Sequence, residues 1–202
     1  MQISIKTNFP QVQRKLDGLQ ADLRDIVLVS TINKTLDQAQ TSMVREITAE
    51  FNVKAAYVRQ RLRIRRASTK GRFTIAGSLI GGSSNRGRSA NIIAFVERVV
   101  TLAEGRRRAK AGTQNQLFVK VKRVGPKKPL KGAFIGNQGR TVFIREGKSR
   151  LPIKPVQVID VAQMFNTKRI NAKVVATMKD RFPTNFDREA RYYVARFNRS
   201  SK

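Results

Sequence analysis

The positive charge of this chain is crowded into its middle, and any fold must accommodate that crowding. Residues 51–159 hold 26 Lys or Arg against only Glu97, Glu104 and Glu146, a net of +23. Residues 1–50 balance 6 basic against 6 acidic residues, and residues 160–202 carry +6. A total of +29 repels itself in a compact state. The middle therefore calls for an anionic partner: nucleic acid, an acidic protein surface or anionic lipid. The first fifty residues are electrically ordinary and suited to packing.

Missing residue types narrow the chemistry further. There is no His, Cys or Trp, so Cys nucleophiles, Ser-His triads, zinc sites, thiol redox chemistry and disulfides all fall away. None of the three central acids lies within a few residues of another, which leaves a two-carboxylate hydrolase or a carboxylate metal site with little support. The glycines near 81 and in GNQGR do not fit a phosphate-binding loop and read as turns. No apolar run approaches the ~18 residues of a membrane helix, and the N-terminus lacks the centre of a signal peptide. The chain is expected to stay in the cytoplasm where it is made, or to leave inside something larger. It reads as a non-enzyme with no cofactor.

Periodicity predicts an α+β fold, with helices at both ends flanking a basic antiparallel or mixed sheet of four to five strands. Leu16, Leu19, Leu23 and Ile26, then Ile32, Leu36, Ala39, Met43 and Ile47, recur at helical spacing. A phase shift between Ile26 and Ile32 suggests two helices or one bent helix, with Asn8 and Pro10 suited to its start. Asn52 is placed to cap a short helix over VKAAYVRQRLR. RFTIAG, NIIAFVERVVTL (bending near Glu97), LFVKVKRV, KGAFIG and RTVFIRE read as strands, the last two forming a hairpin across GNQGR. Phe134, Ile135, Val142, Ile144 and Ile153 are expected to close the sheet core. A C-terminal helix is expected from Ile159, with Val161, Phe165, Ala172 and Val175 on one face and an end at Pro183. Thr184 and Asp187 would open a last helix, where Asp187 and Glu189 suit the helix dipole. The chain divides into a helical packing segment (1–50), a basic mostly-β core (51–159) and C-terminal helices (160–202), together one domain.

Two basic clusters are candidate sites. Arg61, Arg63 and Arg65, joined by Arg66, would line one strand face at period two and track phosphates. The other reading is a solvated face that docks an acidic protein. Only Tyr57 and Phe73 flank this run, which gives no platform for stacking bases. Arg106, Arg107 and Arg108 form a basic finger that either enters a phosphate groove or orders on a partner subunit. Lys127, Lys128 and Lys131 around Pro126 and Pro129 make another basic loop.

The stretch REITAEFNVKAAYVRQRLRIRRAS and the later KGAFIGNQGRTVFIREGKSRLPIKPVQV resemble the minor tail protein Z family of lambda-type phages and prophages. The residues that carry the likeness are Arg63, Arg66 and Ala67; Gly132, Ala133, Phe134 and Ile135; Gly139; Arg145; and Arg150, Pro152, Ile153 and Val156. The resemblance spans roughly residues 30–182. It implies a structural virion protein, a tail-completion component at the head-proximal end of the tail, needed for head–tail joining and DNA passage. Implied partners are further copies of itself in a six-fold ring, the tail terminator, tail tube and neck proteins, and genomic DNA in the tail lumen, with no membrane. Charge alone would equally suit a cellular non-specific nucleic-acid-binding protein, associated with the ribosome or the nucleoid.

Overall fold

One unbroken helix, α1 (Ala21–Glu50), carries the N-terminal apolar stripe. The computed structural model describes residues 2–4, 21–69, 75–82, 90–98, 107, 110–111, 116–147, 149 and 151–200. The expected shift of phase does not divide α1. Thr31 and Thr35 are buried within the stripe and return their hydroxyls to the carbonyls of Val27 and Thr31, at 2.7 and 2.8 Å. Val27, Ile32, Leu36, Ala39, Met43 and Ile47 are buried, while Ile26 turns outward. Asn8, Pro10, Leu16 and Leu19 lie outside the described residues.

The C-terminal segment packs along α1. A short helix, α3 (Val161–Phe165), starts in a capping box. Asp160 accepts the Val161 N–H at 2.7 Å, and Gln163 accepts the Asp160 N–H at 3.0 Å. Asn166 and Thr167 interrupt the helix, and α4 (Lys168–Ser200) follows. That break resets the phase. The buried face of α4 is Ile170, Val174, Met178, Phe182 and Phe186, whereas Ala172 is exposed. The pairs Glu50–Arg169, Glu46–Lys173, Ser42–Thr177, Thr35–Asn185 and Lys34–Glu189 follow one another along the seam, so α1 and α4 run antiparallel.

Pro183 lies inside α4 rather than at its end. Proline removes one ladder hydrogen bond and crowds the preceding turn, at roughly 3 kcal/mol. Contacts to α1 carry the helix through it. Phe182, Asn185 and Phe186 are buried beside the proline, and Asn185 donates to Thr35 Oγ1 and Gln38 Oε1 at 3.0 Å each. Thr184 and Asp187 therefore open no new helix, and Glu189 is a buried mid-helix carboxylate instead of a helix-start charge.

Between the helices the strands are short. A five-residue helix, α2 (Ala55–Arg59), is shorter than its sequence pattern suggested and starts at Lys54 without a side-chain cap. Asn52 instead joins α1 to the sheet, donating its N–H to the Val121 carbonyl at 2.9 Å. β2 (Leu62–Arg65) pairs with β3 (Ser78–Gly81), whose other edge takes β1 (Gln2–Ser4). The strand expected over RFTIAG thus falls later in the chain; residues 70–74 lie outside the described residues. A Cβ on Gly77 would stand 2.6 Å from Leu36, and one on Gly81 2.6 Å from the Phe165 ring. Absent side chains let this segment press against α1 and α3.

Asn91 stops the long strand expected over NIIAFVERVVTL. After β4 (Ala90–Asn91) its carboxamide oxygen accepts the Ile93 N–H at 3.1 Å, and Ile92–Phe95 wind into a 3-10 turn that buries Ile92 and Phe95. β5 (Val96–Arg98), β6 (Gln116–Val119) and β7 (Lys128–Lys131) then form an antiparallel meander. Leu117 and Val119 are buried, as their alternation predicts. β7 replaces the basic loop expected there, because Leu130 pairs with Leu117 and draws the segment into the sheet. β8 (Ala133–Gly136) and β9 (Thr141–Arg145) make the expected hairpin. Its turn holds Asn137, Gln138 and Gly139 at φ of 52°, 54° and 83°. β10 (Ile153–Pro155) adds to β9, and β11 (Gln157–Val158) pairs with β4. Among the described residues the fold is α+β, but three sheets of three strands and one of two stand where one sheet of four to five was expected.

Candidate nucleic-acid interface

Pairing decides which charges reach the surface. Asp37 on α1 grips Arg66 through two contacts at 2.9 and 3.2 Å, Glu46 takes Lys173 at 2.9 Å and Glu50 takes Arg169 at 2.9 Å. In the middle segment Glu97 pairs with Lys127 and Glu146 with Lys154. Every carboxylate whose side chain is described is engaged within the chain, Asp187 included. Exposed pairs of this kind add little stability singly. Their consequence is a charge map: Asp37, Glu46 and Glu50 of α1 offset Arg66, Lys173 and Arg169, while Arg63 and Arg65 on the sheet edge keep their charge.

The four arginines of the first cluster have separate fates. β2 alternates, with Leu62 buried and Ile64 half-buried while Arg63 and Arg65 face solvent. This strand is an edge of its sheet. Arg61 lies in the turn before it and faces inward. Its guanidinium sits 3.6 Å from the Tyr57 ring centroid, donates to the Tyr57 carbonyl at 3.4 Å and stands 4.0 Å from Asp160. Arg61 therefore ties α2 to the cap of α3. Burial pushes the Tyr57 phenol above its ordinary pKa, with Arg61 opposing the shift and Asp160 adding to it. Arg66 is held by Asp37. Arg63 and Arg65 are left as the outward pair.

In the second cluster Arg107 is exposed, and its carbonyl accepts the Ala111 N–H at 3.1 Å. Arg106 and Arg108 lie outside the described residues, as does Arg150. Lys128 and Lys131 are exposed on β7. Among the motif residues, Gly132 links β7 to β8 at φ 71°, Ala133 is buried, and Ile135 packs against the core. Phe134 and Ile153 stand on the opposite sheet face, and Pro152 is exposed just before β10.

Sequence reasoning did not single out Lys54 and Arg123. With Lys127 they line an open groove of about 930 Å³, beside Thr48, Asn52, Glu97 and Phe118. Long-range backbone bonds bring them together, Asn52 to Val121 and Arg123 to Glu50, both at 2.9 Å. No local pattern marks such a meeting. Among the described residues no group of three or more acidic side chains is placed to hold a metal ion. The described arrangement offers guanidinium and ammonium groups to anions.

Comparison with curated proteins and with solved structures returns no match. The family model described as prophage minor tail protein Z (GPZ) matches residues 9–199, nearly the whole length and a longer span than the motif residues alone had covered. The chain belongs to the prophage minor tail protein Z family, and is a structural protein of the phage tail.

Proposed function

We propose that this tail protein completes the head-proximal end of the tail, where a ring of like subunits, six-fold in symmetry, joins tail to head and lets DNA pass. Its neighbours would be the tail terminator, tail tube and neck proteins, and its basic surface would face genomic DNA. The observation that carries this reading is the partition of charge. Asp37, Glu46 and Glu50 of α1 are committed to Arg66, Lys173 and Arg169, while Arg63 and Arg65 stand exposed on an edge strand. DNA that slides through a conduit needs diffuse phosphate attraction and no base-specific grip.

Imaging of purified tails with this subunit located is the test. A ring of copies at the head-proximal end is the expected result. A single copy per virion, or a position at the distal tip, overturns the proposal.

A further inference from the structure

Strand pairing sorts the β8–β9–β10 sheet into two faces. Ala133, Ile135 and Val142 turn to the core, with Ala133 and Val142 buried. Phe134, Gly136, Phe143, Arg145, Ile153 and Pro155 share the other face. Neither Phe134 nor Phe143 belongs to the core or packs against it, and both are partly exposed.

The two rings form a stacked pair, with centroids 5.9 Å apart and planes inclined by 29°. Gly136 lets them lie low. A Cβ at that position would stand 3.1 Å from the Phe143 ring and 3.9 Å from the Phe134 ring, so both rings close over bare backbone. Arg145 holds its guanidinium 4.9 Å from the Phe134 centroid. Ile153 pairs with Arg145 and Pro155 with Phe143, which borders the rings on β10. Arg140 is exposed at the hairpin tip.

Aromatic rings on a sheet face, with a guanidinium beside them and surplus positive charge around, suit the bases and backbone of a single nucleic-acid strand. A second copy of this chain is a poor occupant, because its described carboxylates are already engaged within their own chain. Duplex DNA is also a poor occupant, since its base faces are stacked inside. We infer that this face binds single-stranded nucleic acid, with bases against Phe134 and Phe143 and phosphates drawn to Arg145 and Arg140. The site is separate from Arg63 and Arg65 and goes beyond phosphate attraction.

The test compares a twelve-nucleotide oligothymidylate with an abasic strand of equal length and charge, by fluorescence anisotropy on the full chain. An oligouridylate measured alongside shows whether DNA or RNA is the tighter source of the strand. The base-bearing strand should bind on the order of tenfold tighter than the abasic one. Phe134→Ala with Phe143→Ala should erase that preference. Phe134→Leu with Phe143→Leu keeps apolar bulk while removing the rings, and should erase it too. Duplex affinity should stay unchanged in both variants, which separates this site from the phosphate-binding surface. Equal binding of base-bearing and abasic strands by the wild type overturns the inference. So does a preference that survives the Leu variants, because the bases would then be held by something other than these two rings.

Discussion

Glu189 of α4 accepts a hydrogen bond from the Lys34 ammonium of α1 at 2.5 Å, and Ser30 donates to its other oxygen at 2.7 Å. Burial alone would raise the carboxyl's pKa, but the bonds from Lys34 and Ser30 and the charges of Lys34 and Arg188 outweigh it and hold the group below the ordinary carboxylate range. A carboxyl with a depressed folded pKa stabilises the fold above its unfolded pKa and loses that contribution as pH falls through the folded value. Glu189→Gln should therefore cost about 1–3 kcal/mol near neutral pH. The gap between variant and wild type should narrow in acid. Urea denaturation across that range checks it, and a gap that widens toward acid would refute the assignment.

Asn91 acts as a splice between strands that are distant in sequence. Its carboxamide accepts the Val142 N–H at 2.9 Å and donates to the Val142 carbonyl at 3.2 Å, while also holding Ile93. Asn91→Ala would leave the N–H of fully buried Val142 without this partner, at about 1–3 kcal/mol. Asn91→Asp keeps both acceptor contacts but sets a carboxylate against the Val142 carbonyl, so it should also destabilise. A thermal shift of about 2–4 °C per kcal/mol is expected for a chain of this size. Unchanged melting of both variants would show that the splice contributes nothing.

Some features were legible in the sequence because their signals are local. The α1 stripe, the alternation of Leu117 and Val119 and the GNQGR hairpin need only neighbours a few residues apart. What sequence reading missed depends on distant groups. Asn91 turns a strand into a 3-10 turn and meets Val142, 51 residues away. Pro183 looks like a helix end until Asn185 is seen held by Thr35, 150 residues away. Arg61 and Arg66 read as part of a solvated run, yet Asp160 and Asp37 draw them into the fold. The acid that neutralises an arginine is not written beside it.

Gly81 is a steric requirement, and Gly147 supplies its control. A Cβ at Gly81 would meet the Phe165 ring at 2.6 Å, and Phe165 is fully buried with little room to retreat. Gly81→Ala should destabilise by about 1–3 kcal/mol. A Cβ at Gly147 would meet nothing within 4 Å, so Gly147→Ala should be close to neutral. Chemical denaturation of the two variants side by side decides it. Equal stability would mean that β3 does not press on α3 as described.

Arg63 and Arg65 make the sharpest test of the proposed phosphate-binding surface, because Arg61 and Arg66 supply internal controls from the same run. Counterion release gives duplex affinity a log–log salt slope of about −0.9 per phosphate neutralised. Arg63→Gln with Arg65→Gln should flatten that slope by up to about 2 units. Folding should be unaffected, since both side chains project from an edge strand into solvent. Arg66→Gln should leave the slope nearly unchanged, because its guanidinium is already committed to Asp37 at 2.9 Å. Arg61→Gln should lower stability before it alters binding, through loss of the contacts to Tyr57 and Asp160. The finger can be measured in the same way: replacing Arg106, Arg107 and Arg108 by Gln should flatten the slope by up to about 3 units if all three meet phosphate. If the Arg63/Arg65 variant keeps the wild-type slope but no longer enters tails, the edge strand docks an acidic tail subunit instead of DNA. If it keeps both the slope and incorporation, these two arginines serve neither partner.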